Sequence, residues 1–113
     1  MRVRVLAMTL ALAATPSLAG AQSPVADAFR EQAASEAKRL TAAADEMPAD
    51  KYSFKPTPAQ MSFGDIVAHL IEGNDYLCGL VGGAKAPARA KVTGTSSKDA
   101  LVAQLKETFA FCV

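Results

Sequence analysis

Apolar residues return at helical spacing in three stretches of this chain, and the clearest of them is residues 62–81. At about 100° per residue, Phe63, Ile66, Val67, Leu70, Asn74, Leu77 and Val81 share one arc, with Asp65, Ala68, Glu72, Asp75 and Gly79 opposite. Ser62 is placed to cap the helix start, with Asp65 three residues on in the capping-box position, and Gly82-Gly83 end it. His69, the only histidine, falls at the edge of the apolar arc beside Gly73, Tyr76 and Leu80. That placement predicts an imidazole where the core meets a groove rather than one out in solvent. The rest of the chain is expected to pack on this helix.

An earlier helix is predicted from Ala26, after a short leader at residues 22–25. Val25, Phe29, Ala33, Ala37, Leu40, Ala44 and Met47 recur at spacings of four and three, an amphipathic pattern whose alanines allow a neighbour to come close. Pro48 stops it, because proline disfavours the helical conformation in the residue before it. Residues 48–61 hold three prolines and no helical period, so they read as an extended connection, with Tyr52 and Phe54 pinning it across the end of the bundle. Residues 83–95 are mildly basic and poor in apolar bulk. No strand precedes their glycines and Lys85 matches no phosphate-loop spacing, so this reads as a solvated linker. Ser96 with Asp99 repeats the capping signature. Leu101, Val102, Leu105, Phe109 and Cys112 then form the stripe of a third helix, which stops in mid-stripe and is therefore expected to be cut short.

The chain starts differently. Arg2 and Arg4 precede an uncharged apolar block at residues 5–14, and small residues follow at Ala19-Gly20-Ala21, which is the pattern of a secretory signal peptide spanning residues 1–21. The apolar block is about half of what a bilayer-spanning helix requires, and Ala21 stands where a lipoprotein would carry its acylated cysteine, so an exported periplasmic or secreted protein without a membrane anchor is expected. Cleavage removes two of the twelve basic residues and none of the eleven acidic ones, leaving a slightly acidic chain that does not suit nucleic acid. The 92 residues that remain of 113 can bury one modest core, and at that size disulfides, a metal or a partner usually add stability. Cys78 and Cys112 are the only cysteines. In an exported protein they either bond to each other or serve as small buried apolar side chains.

The run Met47-Pro48-Ala49-Asp50-Lys51-Tyr52-Ser53-Phe54-Lys55-Pro56-Thr57-Pro58, followed by Met61-Ser62-Phe63-Gly64-Asp65-Ile66-Val67-Ala68-His69-Leu70, resembles exported members of the DinB-like superfamily. The resemblance implies an all-α fold, a four-helix bundle in up-down-down-up order. Here three helices would be present, the second and third parallel through a long crossover, with the fourth missing from residues 22–113. It also implies a divalent metal, nickel or zinc, held by three histidines, and relatives that include thiol-dependent transferases and isomerases. His69 matches the first of those ligands. The two expected from the last helix have no counterpart, and one imidazole falls short of the three protein ligands a catalytic zinc-type site takes. Glu72, three residues after His69, is a weak further candidate. No catalytic residue is assigned.

With the second and third helices parallel, Cys78 and Cys112 stand level, each sixteen residues beyond its own cap candidate, Ser62 or Ser96. An antiparallel pair would hold them about 20 Å apart, far beyond disulfide reach. Two functional readings follow. In the first, the chain is a fragment of a metal-dependent enzyme of the cell envelope, inactive as it stands. In the second, it is a non-enzymatic helical interaction module, stabilised by a partner or by forming a homodimer through an uncovered helical face.

Overall fold

Tyr52 shows how local sequence fixes this fold. The computed structural model describes residues 23–113; the expected signal peptide lies outside the described residues. Helix α1 (Pro24–Glu46) is followed by a single 3-10 turn at Ala49–Lys51, then α2 (Phe63–Gly82) and α3 (Lys98–Cys112). The Tyr52 ring is buried, its hydroxyl donates to the Ala44 carbonyl at 2.7 Å, and it packs edge-on against Phe63 with ring centroids 5.1 Å apart. One side chain thus ties the end of α1 to the start of α2. Phe54, expected to help, points away and is 58% exposed. What it contributes is backbone: its carbonyl accepts from Phe63 N–H, and the Tyr52 carbonyl accepts from Gly64 N–H.

Those two bonds complete the start of α2. A helix leaves four N–H groups without partners in its first turn. Here Phe63 and Gly64 use the loop carbonyls and Asp65 N–H donates to Ser62 Oγ, after which Ile66 N–H makes the first regular helical bond, to the Ser62 carbonyl. The Asp65 carboxylate returns the contact by accepting from Ser62 N–H at 3.1 Å, so the capping box is closed from both sides. At the other end Gly83 takes a left-handed conformation, φ 64°, that a side chain would strain.

The second and third helices run parallel and in register. Asn74 Nδ2 donates to Thr108 Oγ1 at 3.3 Å, and Cys78 is bonded to Cys112 with Cα atoms 5.1 Å apart; both pairs are separated by 34 residues. An antiparallel pair could not repeat one offset at two levels. At the near end, Gly64 and Gly94 touch, and a Cβ on Gly64 would run into the Gly94 carbonyl. Helix α1 runs the other way, with Lys98 Nζ donating to the Asp45 carbonyl at 2.6 Å where α1 ends and α3 begins. Leu101, Leu105 and Thr108 are fully buried, and Ala44, Val67, Ile71 and Phe109 close the core around them. Each buried leucine contributes about 1.5–3 kcal/mol.

Several boundaries and faces differ from the sequence reading. Helix α1 begins at Pro24, two residues before the predicted start, because proline suits the first helical position. Its outer stripe is not core, since Val25 is 78% exposed. Ser97, not Ser96, caps α3 through Ala100 N–H, while Ser96 Oγ accepts from Thr93 N–H instead. The segment between α2 and α3 is no free linker. Arg89 is largely buried, Val92 packs on the core, and Gln104 donates to the Ala90 carbonyl.

Candidate functional site

Because α2 and α3 run the same way, the connecting chain must travel back along them, and it does so as a strap over Asp75. Arg89 Nε donates to Asp75 Oδ2 at 2.9 Å, and its Nη1 donates to Glu107 Oε2 at 2.9 Å. One guanidinium thereby clamps the strap to both helices. The hydrogen bond that Arg89 donates to Asp75, with the nearby carboxylate charges, holds the Arg89 guanidinium above its ordinary range, although burial opposes this. The second carboxylate oxygen, Asp75 Oδ1, is buried and receives no hydrogen bond among the described residues.

Between strap and helix lies an open groove of about 610 Å³. Asp65, His69, Glu72 and Asp75 line it from α2, Arg89 to Thr93 from the strap and Gln104 from α3. Its acidic residues are not equivalent. Asp65 is committed to the cap, where the Ser62 hydroxyl and backbone N–H hold its carboxyl below the ordinary aspartate range, and Asp75 is committed to Arg89.

His69 is exposed, not set at the edge of the core as the helical wheel predicted. The wheel erred because the apolar arc of α2 is wider than the face its neighbours cover. The buried positions are Gly64, Val67 and Ile71, with Asn74 and Cys78 continuing the same face toward α3. Ile66, Tyr76, Leu77, Leu80 and Val81, on the other flank, are 44% to 69% exposed. His69 stands within that flank, one turn from Gly73, with Glu72 beside it on the groove rim. The structure brings His69 and Glu72 to one groove but adds no further imidazole, and among the described residues no group of three or more His, Cys, Asp or Glu side chains is arranged to hold a metal ion. The donor set present does not fit a three-imidazole centre.

The cysteines lie elsewhere. Their disulfide lines a small apolar cleft of about 240 Å³ between α1 and α2, with Phe29, Ala33, Leu77 and Phe109 around it. Being bonded, neither thiol is available as a nucleophile or a ligand. Arg89, which sequence reasoning left in a linker, was detectable only as the lone arginine in an alanine-rich stretch. Its partners Asp75 and Glu107 lie 14 and 18 residues away.

No helix among the described residues is long and apolar enough to cross a membrane. No curated protein and no solved structure gives a significant match. A family model described as DinB superfamily matches residues 32–112, a span running from the first helix through the anchoring tyrosine, His69 and the last turn of α3, so the chain belongs to the DinB superfamily.

Proposed function

We propose that this chain is an exported, cell-envelope DinB-like protein that supplies one donor, His69, to divalent-metal chemistry and carries no activity by itself. The observation behind this reading is the setting of His69. It is exposed at the mouth of a groove, within an open apolar flank, and no second imidazole accompanies it. The resemblance implies nickel or zinc and a thiol-dependent transferase or isomerase, or a hydrolase, as the parent activity. The three described helices provide one of the three ligands such a centre would take. Export is supported by the basic, apolar and small-residue order of residues 1–21 and by the disulfide.

The test is calorimetric titration of the oxidised protein with nickel and with zinc. Weak binding without a defined stoichiometry is expected. A stoichiometric submicromolar site lost in His69→Ala would overturn the reading. Export is checked by expressing the precursor in a bacterium and sequencing the N-terminus of the periplasmic product, which should begin at Gln22. An uncleaved cytoplasmic product would refute it.

A second reading, a non-enzymatic interaction module, is favoured by the same flank. Ile66, Tyr76, Leu77, Leu80 and Val81 form a larger apolar surface than scattered exposed residues usually make.

A further inference from the structure

The strap between α2 and α3 is bounded by glycines, Gly82-Gly83 on one side, with Gly83 at φ 64°, and Gly94 on the other. From Ala84 to Val92 only Ala86, Arg89 and Val92 turn inward, and the residues between them are exposed. Inward residues at every third position suit an extended polyproline-type chain, which has no internal hydrogen bonds and leaves its backbone to solvent. Apart from Ala84 N–H, which donates to the Gly79 carbonyl, no backbone hydrogen bond ties residues 84–92 to the helices among the described residues.

Side chains hold the strap instead. Val92 packs on the core, Gln104 donates to the Ala90 carbonyl at 2.8 Å, and Arg89, its side chain only 13% exposed, reaches Asp75 and Glu107. The first residue of the strap lies close on α2, where a Cβ on Gly79 would run into the Ala84 carbonyl. The helices do not need the strap to stay together. The Cys78–Cys112 bond, the Asn74–Thr108 contact and the buried Leu101 and Leu105 seat α3 without it. Closure also carries a cost, because Asp75 Oδ1 is buried without a hydrogen bond and opening returns it to water. A segment with few buried contacts and a solvated backbone opens below the free energy of global unfolding.

We propose that residues 84–92 are a lid that opens and closes on the groove as a unit while the three helices stay packed, with Arg89 as its latch. Closed, the strap forms one wall of the groove and clamps Asp75. Open, it widens the groove and frees the Asp75 carboxylate beside Glu72 on the rim. The lid does not depend on whether His69 meets a metal.

Trypsin tests this, because Lys85, Arg89 and Lys91 lie in the strap and a cut there falls inside the disulfide loop, so the cut chain stays in one piece until it is reduced. The protease must draw the chain out of its seat and therefore cuts the open form. The full oxidised chain is digested at urea concentrations below its unfolding transition. Between Phe63 and Val113 cutting should be confined to the strap, slower than in a free peptide of residues 83–95, and its rate should change little with urea, because lifting the strap exposes little surface. Arg89→Gln removes the latch and leaves Asp75 without its cation, so cutting after Lys85 and Lys91 should speed up about tenfold or more, while Lys98 and Lys106 in α3 stay protected. Gly79→Ala, which displaces Ala84 and leaves the ion pairs intact, should speed strap cutting by less. Strap cutting that rises with urea as steeply as global unfolding, or an Arg89→Gln effect equal at strap and α3 sites, would mean that strap and helices open together and would overturn the proposal. Wild-type cutting as fast as the free peptide would overturn the closed state, and cutting indifferent to Arg89→Gln would overturn the latch.

Discussion

The two faces of α2 obey different rules. Toward α3 and the strap, α2 is held by directional contacts: Asn74 and Cys78 pair at one offset with Thr108 and Cys112, and Asp75 accepts from the Arg89 clamp. On the far flank, Ile66, Leu77 and Leu80 are as apolar as the core residues, yet nothing among the described residues covers them. Hydrophobicity alone therefore does not say which face folds inward. What decides it is the set of directional contacts, a cap, a glycine crossing, a disulfide and a buried arginine, that seat α3 and the strap on one side.

The covered face should be most sensitive where it is cross-linked. The Cys78–Cys112 bond closes a loop of 34 residues that spans the end of α2, the strap and the whole of α3, and loop-closure entropy for that length amounts to about 3–4 kcal/mol. Replacing both cysteines by alanine should lower the free energy of unfolding by about that amount. For a domain of this size such a loss is a large share of total stability. Urea denaturation of oxidised, reduced and doubly substituted protein checks it, and coincident curves would show that α3 is held by packing alone.

A pair of leucines sharpens the contrast. Leu105 is fully buried, whereas Leu80 is 69% exposed. Leu105→Ala should cost about 2–5 kcal/mol, the range for a core cavity, while Leu80→Ala in the monomer should stay within about 0.5 kcal/mol. Equal effects, measured by denaturation at submicromolar concentration, would mean that the flank is packed in solution.

Much of the covered face was legible in the sequence, and the reasons differ by element. The start of α2 could be read because capping is local: Ser62 and Asp65 lie within one turn and need no tertiary information. Tyr52 stood out as an aromatic in a proline-rich connection. The parallel order of α2 and α3 was legible through the family resemblance, and it agrees with cysteines at equal heights. The rotation of α2 was not legible, because an apolar arc broad enough for two neighbours does not reveal which part a single neighbour covers. That one ambiguity misplaced His69 and assigned Ile66, Leu77 and Val81 to the core. Arg89 was missed for a related reason, since its partners become neighbours only once the strap is laid back over Asp75. The α3 cap slipped by one residue because Ser96 and Ser97 are equivalent locally, and the choice between them is made by the Thr93 turn.

Gly73 offers a smaller test, with the opposite sign. In the monomer its substitution by alanine meets no obstacle and removes the cost of a glycine inside a helix, so Gly73→Ala should stabilise α2 by about 0.5–1 kcal/mol. Gly64→Ala should destabilise, because the Gly94 carbonyl already occupies the space a methyl group would take. Thermal melts of the two variants at low protein concentration should move in opposite directions. If both fall, Gly73 has an intrachain role beyond the contacts described.

The smallest effect is expected from acid, and it separates the cap from the flank. Asp65 accepts from the Ser62 hydroxyl and backbone N–H, and these bonds to its ionised form depress its pKa in the folded chain. A depressed carboxylate stabilises the fold fully above its unfolded value, near pH 4, and that contribution disappears as pH falls through the lower folded value. Lowering the pH from 5 toward 2 should therefore loosen the first turn of α2, because a protonated Asp65 accepts more weakly from the Ser62 groups. Asp65→Asn keeps the side-chain size and an acceptor oxygen but does not titrate. Its melting temperature should be slightly lower than that of the wild type at pH 7 and should lose this part of the acid dependence. Asp45, held below its ordinary range by Lys106 between α1 and α3, adds a second acid-sensitive contact, so the Asp65→Asn curve should flatten without becoming level. Amide exchange distinguishes the two carboxylates: protonating Asp65 should speed exchange at Phe63 to Ile66, whereas protonating Asp45 should leave those amides unchanged. If acid speeds exchange along the Ile66–Leu80 flank before it reaches the first turn of α2, then the flank is the weaker region and the capping box is not what limits this helix at low pH.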